Sequence, residues 1–110
     1  MVNENTMMCI VSWVYKNGVK KIIFCLGHLG EKIKKYLDKK QSSDLKFLYS
    51  FDGTNPIGTG GAVKKALIDN ERYYFVIYGD SYLRVNLKNV IKKFYKCNKP
   101  ALMTVIKNNN

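Results

Sequence analysis

The chain has 110 residues, 46% hydrophobic and 25% charged, with a formal net charge of +11. That length supports one domain, and a globule of this size buries only about two thirds of the surface its unfolded chain exposes. No apolar run reaches the roughly 18 residues of a spanning helix, and the opening Met1-Val2-Asn3-Glu4-Asn5-Thr6 lacks a signal peptide's basic region and apolar core, so no membrane partner and a cytoplasmic location are expected.

The first predicted element is a helix. Met7, Ile10, Val11 and Val14 fall on one helical face, and Asn17-Gly18 ends it. Ile22 to Leu26 is an unbroken apolar run that suits a buried strand. Leu29, Ile33, Tyr36 and Leu37 resume the helical period with lysines outside. Leu45, Phe47 and Tyr49 alternate with Lys46, Leu48 and Ser50 as a second strand, followed by a loop from Phe51 to Gly58. Val63, Ala66 and Leu67 mark a helix opened by glycines, Tyr73 to Tyr78 a third strand, and Leu87, Val90, Ile91 and Phe94 a helix capped by Asn86. Pro100 precedes a last strand, Ala101 to Ile106. This alternation with short connections predicts an α/β fold, a three-layer Rossmann-like, mostly parallel sheet with helices on both faces.

The positive charge is carried by lysine rather than arginine. Arg72 and Arg84 are the only arginines, while Lys32, Lys34, Lys35, Lys39, Lys40, Lys64, Lys65, Lys88, Lys92, Lys93 and Lys96 are spread over several helices. Surfaces that read nucleic acid lean on arginine forks and stacked aromatics, so this distribution argues against nucleic acid as a partner. Cys9, Cys25 and Cys97 form no Cys-x-x-Cys pair and are odd in number, which predicts buried reduced thiols. His28 has no second histidine or cysteine at ligand spacing, so no metal role is assigned to it.

Chemistry is concentrated in Pro56-Ile57-Gly58-Thr59-Gly60-Gly61-Ala62-Val63 and in Tyr78-Gly79-Asp80. Three glycines in four residues let a backbone approach a flat or anionic ligand. Asp80, after an apolar run, falls where open α/β sheets gather ligand groups, beyond the carboxyl ends of strands. Two phosphate motifs fail here. Thr59 and Gly60 stand where a P-loop needs its lysine and its Ser/Thr, and Val63 replaces the third glycine of a dinucleotide fingerprint. A tight helix start for the glycines and a turn cap for Asp80 are the ligand-free alternatives.

The order of landmarks resembles the sugar-phosphate nucleotidyltransferase family, whose middle segment reads Leu-Gly-Thr-Ala/Gly-Gly-Ala. Gly18-Val19, Gly27-His28-Leu29-Gly30-Glu31-Lys32-Ile33, Tyr49-Ser50-Phe51-Asp52, the glycine segment and Tyr78-Gly79-Asp80 follow in the family's order, from about Met7 to Ile106. The Gly-Thr-Gly-Gly form is most similar to heptose 1-phosphate or mannose 1-phosphate guanylyltransferases. The resemblance implies transfer of a nucleoside monophosphate, GMP by the closest form, from a nucleoside triphosphate to a sugar 1-phosphate in nucleotide-sugar biosynthesis, with pyrophosphate released. By the same resemblance Gly58, Thr59, Gly60, Gly61, Tyr78 and Gly79 would bind the nucleotide, and Asp80 would hold Mg²⁺.

The family's Gly-Gly-x-Gly-Thr-Arg-Leu loop and the Pro-Lys after it are not in this sequence, nor is the region that binds the sugar and supplies a second acidic metal ligand. Residues 1–110 are therefore expected to form a single partial domain, incomplete relative to the family and impaired alone, with no catalytic residue assigned. Phe51-Asp52-Gly53-Thr54-Asn55 also departs from the family pattern, which leaves Asp52 as readily a turn cap as a ligand group. The alternative reading is a non-catalytic α/β nucleotide-binding or self-assembly module, pairing as a homo-oligomer through an exposed sheet edge.

Overall fold

The computed structural model describes residues 4–53, 57–67, 73–78 and 85–105. Helix α1 (Glu4–Lys16) buries Met7, Ile10, Val11 and Val14, the side chains expected from its period. It closes on Gly18, at φ +92, with Gly18 N donating to Tyr15 O and Val19 N to Val14 O, the paired bonds of a Schellman ending. Strand β1 (Lys21–Leu26), helix α2 (Gly30–Asp38) and strand β2 (Lys46–Phe51) follow. The strands pair in parallel from Lys21 against Lys46 to Leu26 against Phe51, and α2 serves as the crossover that parallel strands require.

Because side chains alternate along each strand, the ladder has two different faces. Ile22, Phe24, Phe47 and Tyr49 share one face with Met7 and Val11 of α1 and Leu37 of α2. Leu37 has no solvent exposure at all. The Phe24 ring meets Phe47 edge-on at 5.1 Å and stacks on Tyr49 at 5.9 Å, so cross-strand aromatic contacts reinforce the register. Cys25 points to the other face, where it reaches helix α3 (Gly58–Ala66). Helices thus cover both sides of a small parallel sheet, a mixed α/β arrangement consistent with an incomplete Rossmann-like domain.

The two further expected strands are not found. Residues 73–78 and 101–105 join no ladder, Ile106 lies outside the described residues, and the sheet among the described residues has two strands. An apolar run specifies burial but names no hydrogen-bond partner. Tyr73 instead packs edge-on against Phe94 and Tyr95 of helix α4 (Leu87–Cys97), and Ile77 packs against Ile10, Val14 and Leu87. Asn86 caps α4 as expected, its side chain accepting from Lys88 N at 2.9 Å and Asn89 N at 3.4 Å. The expectation of buried thiols is corrected as well: Cys9 and Cys25 are exposed and Cys97 half-buried, all three free. Cys9 falls on the solvent side of α1, between core positions of the helical repeat.

Two polar clusters tie the layers together. Tyr49 of β2 donates to Asp38 of α2 at 2.8 Å, and Lys34 adds a 3.0 Å ion pair. Tyr15 of α1 donates to Asp44, which also accepts from Ser42 at 2.7 Å. The Tyr49 bond, then the Lys34 bond, hold the Asp38 carboxyl below its ordinary range, and Tyr15, then Ser42, do the same for Asp44. Burial, then the Asp38 bond and charge, push Tyr49 up to about 12.

Packing is tightest at Gly30. A Cβ there would stand 2.8 Å from Leu26 Cβ and 3.0 Å from the Phe51 ring. Gly30→Ala is therefore expected to destabilise the fold by about 1–3 kcal/mol, read as a lower urea midpoint with unchanged slope. The lowered carboxyls set a pH dependence. Folded values below unfolded ones stabilise the native state fully above the unfolded carboxylate pKa of about 3.9, and that stabilisation is lost as pH falls through the folded values. The urea midpoint should hold steady from pH 7 to about 5 and drop below about 4. Replacing both Asp38 and Asp44 with asparagine should flatten that acid limb, and an identical limb in the variant would refute the assignment.

Candidate nucleotide site

The carboxyl ends of both strands meet two turns and a helix. After Leu26, Gly27-His28-Leu29-Gly30 forms a tight turn in which Gly30 N donates to Gly27 O at 3.0 Å and Leu29 takes φ +62. A left-handed leucine costs on the order of 1–2 kcal/mol, so the contacts on either side hold it there. Asp52 N donates to Leu26 O at 2.9 Å, carrying the ladder one residue beyond β2. The Asp52 carboxylate then lies 3.6 Å from where a Cβ on Gly27 would be.

Helix α3 crosses these ends. Gly58 opens it at φ +74, a conformation an L side chain rarely adopts, and a Cβ on Gly58 or Gly60 would meet nothing within 4 Å. A Cβ on Gly61 would press on Ile57 at 3.2 Å, so that glycine also serves the local packing of the turn. Ile57 gives no side-chain cap, and the first turn carries no acidic residue. The first-turn N–H groups of a helix lack internal partners and bear its positive dipole end, which suits a phosphate oxygen or an acceptor on a base edge. Gly58, Thr59 and Gly60 are exposed there.

Two contacts fix α3 to the strand ends. Cys25 Sγ donates to Ala62 O at 3.7 Å, and Lys65 Nζ donates to Phe51 O. Although Cys25 keeps solvent contact, burial and then the Asp52 charge raise its thiol pKa. In the sequence Lys64 and Lys65 are simply helix lysines, and the Lys65 clamp leaves no signal there because its acceptor is a main-chain carbonyl.

The structure brings Gly58, Thr59, Gly60 and Gly61 together on the first turns of α3. Tyr78 lines a different concavity, formed with Trp13 and α4. Gly79 and Asp80 lie outside the described residues. Among the described residues no group of three His, Cys, Asp or Glu side chains converges as a metal site. His28 is exposed, and Asp52 alone does not make a divalent-cation cage.

No family profile matches the chain, and no solved structure matches it. Over 83 residues it is 34% identical to the D-glycero-alpha-D-manno-heptose 1-phosphate guanylyltransferase of Campylobacter jejuni subsp. jejuni serotype O:2. That alignment covers 74% of this chain and 36% of the relative, so the chain spans little more than a third of that protein's length. The similarity supports a nucleotidyltransferase-like relationship.

The raised Cys25 thiol gives a local test of the strand-end geometry. Asp52→Asn removes the second of its two causes, so alkylation of Cys25 should accelerate at a given pH, with its pH profile shifted downward while Cys9 is unchanged. Mass spectrometry of the two sites reads both, and an unmoved Cys25 profile would separate Asp52 from this cluster.

Proposed function

We propose that the chain provides the base-side part of a nucleotidyltransferase-like site. The reaction is transfer of a nucleoside monophosphate, GMP by preference, from a nucleoside triphosphate to a sugar 1-phosphate, with release of pyrophosphate. Residues 1–110 act in it as one partial domain. Gly58 and Thr59 lie against base and ribose, and Gly60 and Gly61 keep the ribbon free of side chains; Tyr78, which lines the separate concavity with Trp13 and α4, takes no part in this site. The observation that carries this reading is the uncapped glycine ribbon on α3, open at Gly58 and Gly60, in a chain related over 83 residues to a heptose 1-phosphate guanylyltransferase.

Mg²⁺ with Asp80 as ligand belongs to the same proposal and would offset charge on the phosphates when bound. The chain's own residues bind and orient. The N–H groups at the start of α3 receive acceptors, and the Lys65 and Cys25 contacts keep the helix from shifting as a ligand settles. No arginine or lysine of the family's triphosphate loop is present to stabilise the leaving group, so turnover by this chain alone is expected to be slower by several powers of ten than in a complete site.

A second reading has its own observation. Among the described residues each strand of the two-stranded sheet has an unpaired outer edge, and such edges recruit further strands. A homo-oligomer formed through β1 or β2 would make this an assembly module with no transfer chemistry.

Equilibrium titration of the full chain with GTP, ATP, UTP and CTP in the presence of Mg²⁺ tests the first reading. Weak, purine-selective binding is expected, with Gly60→Val lowering it about tenfold or more, ~1.4 kcal/mol. Pyrophosphate release with GTP and heptose 1-phosphate should stay at background. Equal binding by the wild type and the valine variant would remove the glycine ribbon from the site.

A further inference from the structure

Many of the exposed apolar side chains gather around one concavity, which none of Gly58 to Gly61 lines. Residues 73–78, α4 and residues 100–104 line a concavity of about 730 Å³ together with Trp13. Its side chains stay in contact with solvent: Val76 is 58% exposed, Tyr95 59%, Tyr78 61% and Met103 83%. Soluble monomers rarely leave contiguous apolar surface of this kind uncovered.

The helix that lines the concavity carries an unbalanced charge. On α4, Val90, Ile91 and Phe94 line the concavity, the exposed Lys88 and Lys93 flank that stripe, Lys92 and Lys96 fall on the opposite face, and Lys99 is exposed just beyond the helix. Residues 85–105 contain no aspartate or glutamate. None of these lysines makes an ion pair with a described residue. A basic amphipathic helix beside exposed aromatic and aliphatic side chains has the composition of an interfacial surface.

We infer that this face docks peripherally on a bilayer containing anionic phospholipid. Charge selects the occupant. A second copy seated on the same face would set these lysines against their own counterparts, like charge on like. The exposed rings of Tyr78 and Tyr95 offer a nucleic-acid strand stacking surface, but Val76 and Met103 crowd the same face with aliphatic surface and residues 85–105 contain no arginine to fork a phosphate or base edge, so nucleic acid fits less well than a bilayer. An anionic bilayer answers both features, since headgroup phosphates pair with the ammonium groups while tyrosines and aliphatics settle at the headgroup level. No helix among the described residues is long and apolar enough to cross a membrane, so the attachment lies on the surface, a peripheral contact that departs from the expectation of no membrane partner drawn from the lack of a spanning run. The inference is independent of the nucleotide reading.

Trp13 is the single tryptophan and lines the concavity, so its emission reports occupancy directly. The full chain is mixed with phosphatidylcholine vesicles, with and without phosphatidylglycerol, and followed by Trp13 fluorescence and co-sedimentation. Blue-shifted emission and sedimentation are expected with the anionic vesicles alone, weakening as salt is raised. Lys88→Gln with Lys93→Gln should lower the partition coefficient about tenfold or more, and Val76→Ser with Met103→Ser should lower it similarly with unchanged circular dichroism. Equal binding to neutral vesicles, or none to either, overturns the inference. So does a dimer in light scattering that shields Trp13 without vesicle binding, tighter retention of an oligonucleotide, or capture of an acidic peptide in preference to vesicles.

Discussion

The parallel ladder between β1 and β2 is the constraint on which the rest depends. Parallel neighbours cannot be joined by a hairpin, so α2 must carry the chain back across the sheet, and its start is forced against the ends of both strands. Gly30 is where that geometry is tightest, with Leu26 and Phe51 leaving no room for a methyl group. The close approach places the Gly27–Gly30 turn and the Asp52 turn side by side. Without the ladder's register, α3 would have neither Cys25 nor the Phe51 carbonyl to rest on.

Periodicity made the helices legible because each buries a stripe that only one secondary structure can produce. Met7, Ile10, Val11 and Val14 predicted α1, Asn86 announced the start of α4, and Leu45 to Ser50 showed the alternation of β2. The runs at 73–78 and 101–105 were equally apolar, yet they joined no ladder. A strand is defined by a partner, and nothing in Tyr73-Tyr74-Phe75-Val76-Ile77-Tyr78 names one. The aromatic rings of that run found Phe94 and Tyr95 instead, contacts that depend on proximity rather than register.

The candidate site was legible in its backbone and opaque in its anchors. Three glycines within four residues can be seen in a sequence because glycine is chosen for what it lacks, and Gly58 at φ +74 shows one of them used for that freedom. The anchors are different in kind. Cys25 and Lys65 both bond to main-chain carbonyls, which every residue possesses, so neither spacing nor composition could pair them with Ala62 or Phe51. The same asymmetry explains Asp52, whose influence on Cys25 arises from two turns meeting across the strand ends, far apart in the chain.

Not all the glycines in the turns and at the start of α3 do the same work, and the difference separates packing from recognition. At Gly30 an added Cβ meets side chains of the core, and at Gly61 it meets Ile57, so both positions are explained without any ligand. At Gly58 and Gly60 it meets open space, so internal packing imposes no size limit there. The left-handed φ accounts for Gly58 on backbone grounds. Gly60 has neither excuse: it lies in a helix, where glycine costs about 1 kcal/mol relative to alanine, with room for a side chain it does not carry. A helix that accepts that cost at an exposed first turn, with no capping side chain and no acidic neighbour in that turn, keeps a patch of bare backbone facing solvent. In the proposed nucleotide site, bare backbone of that kind would let a ligand come closer than a methyl group allows, which makes Gly60, more than the glycine run as a whole, the residue on which that proposal turns.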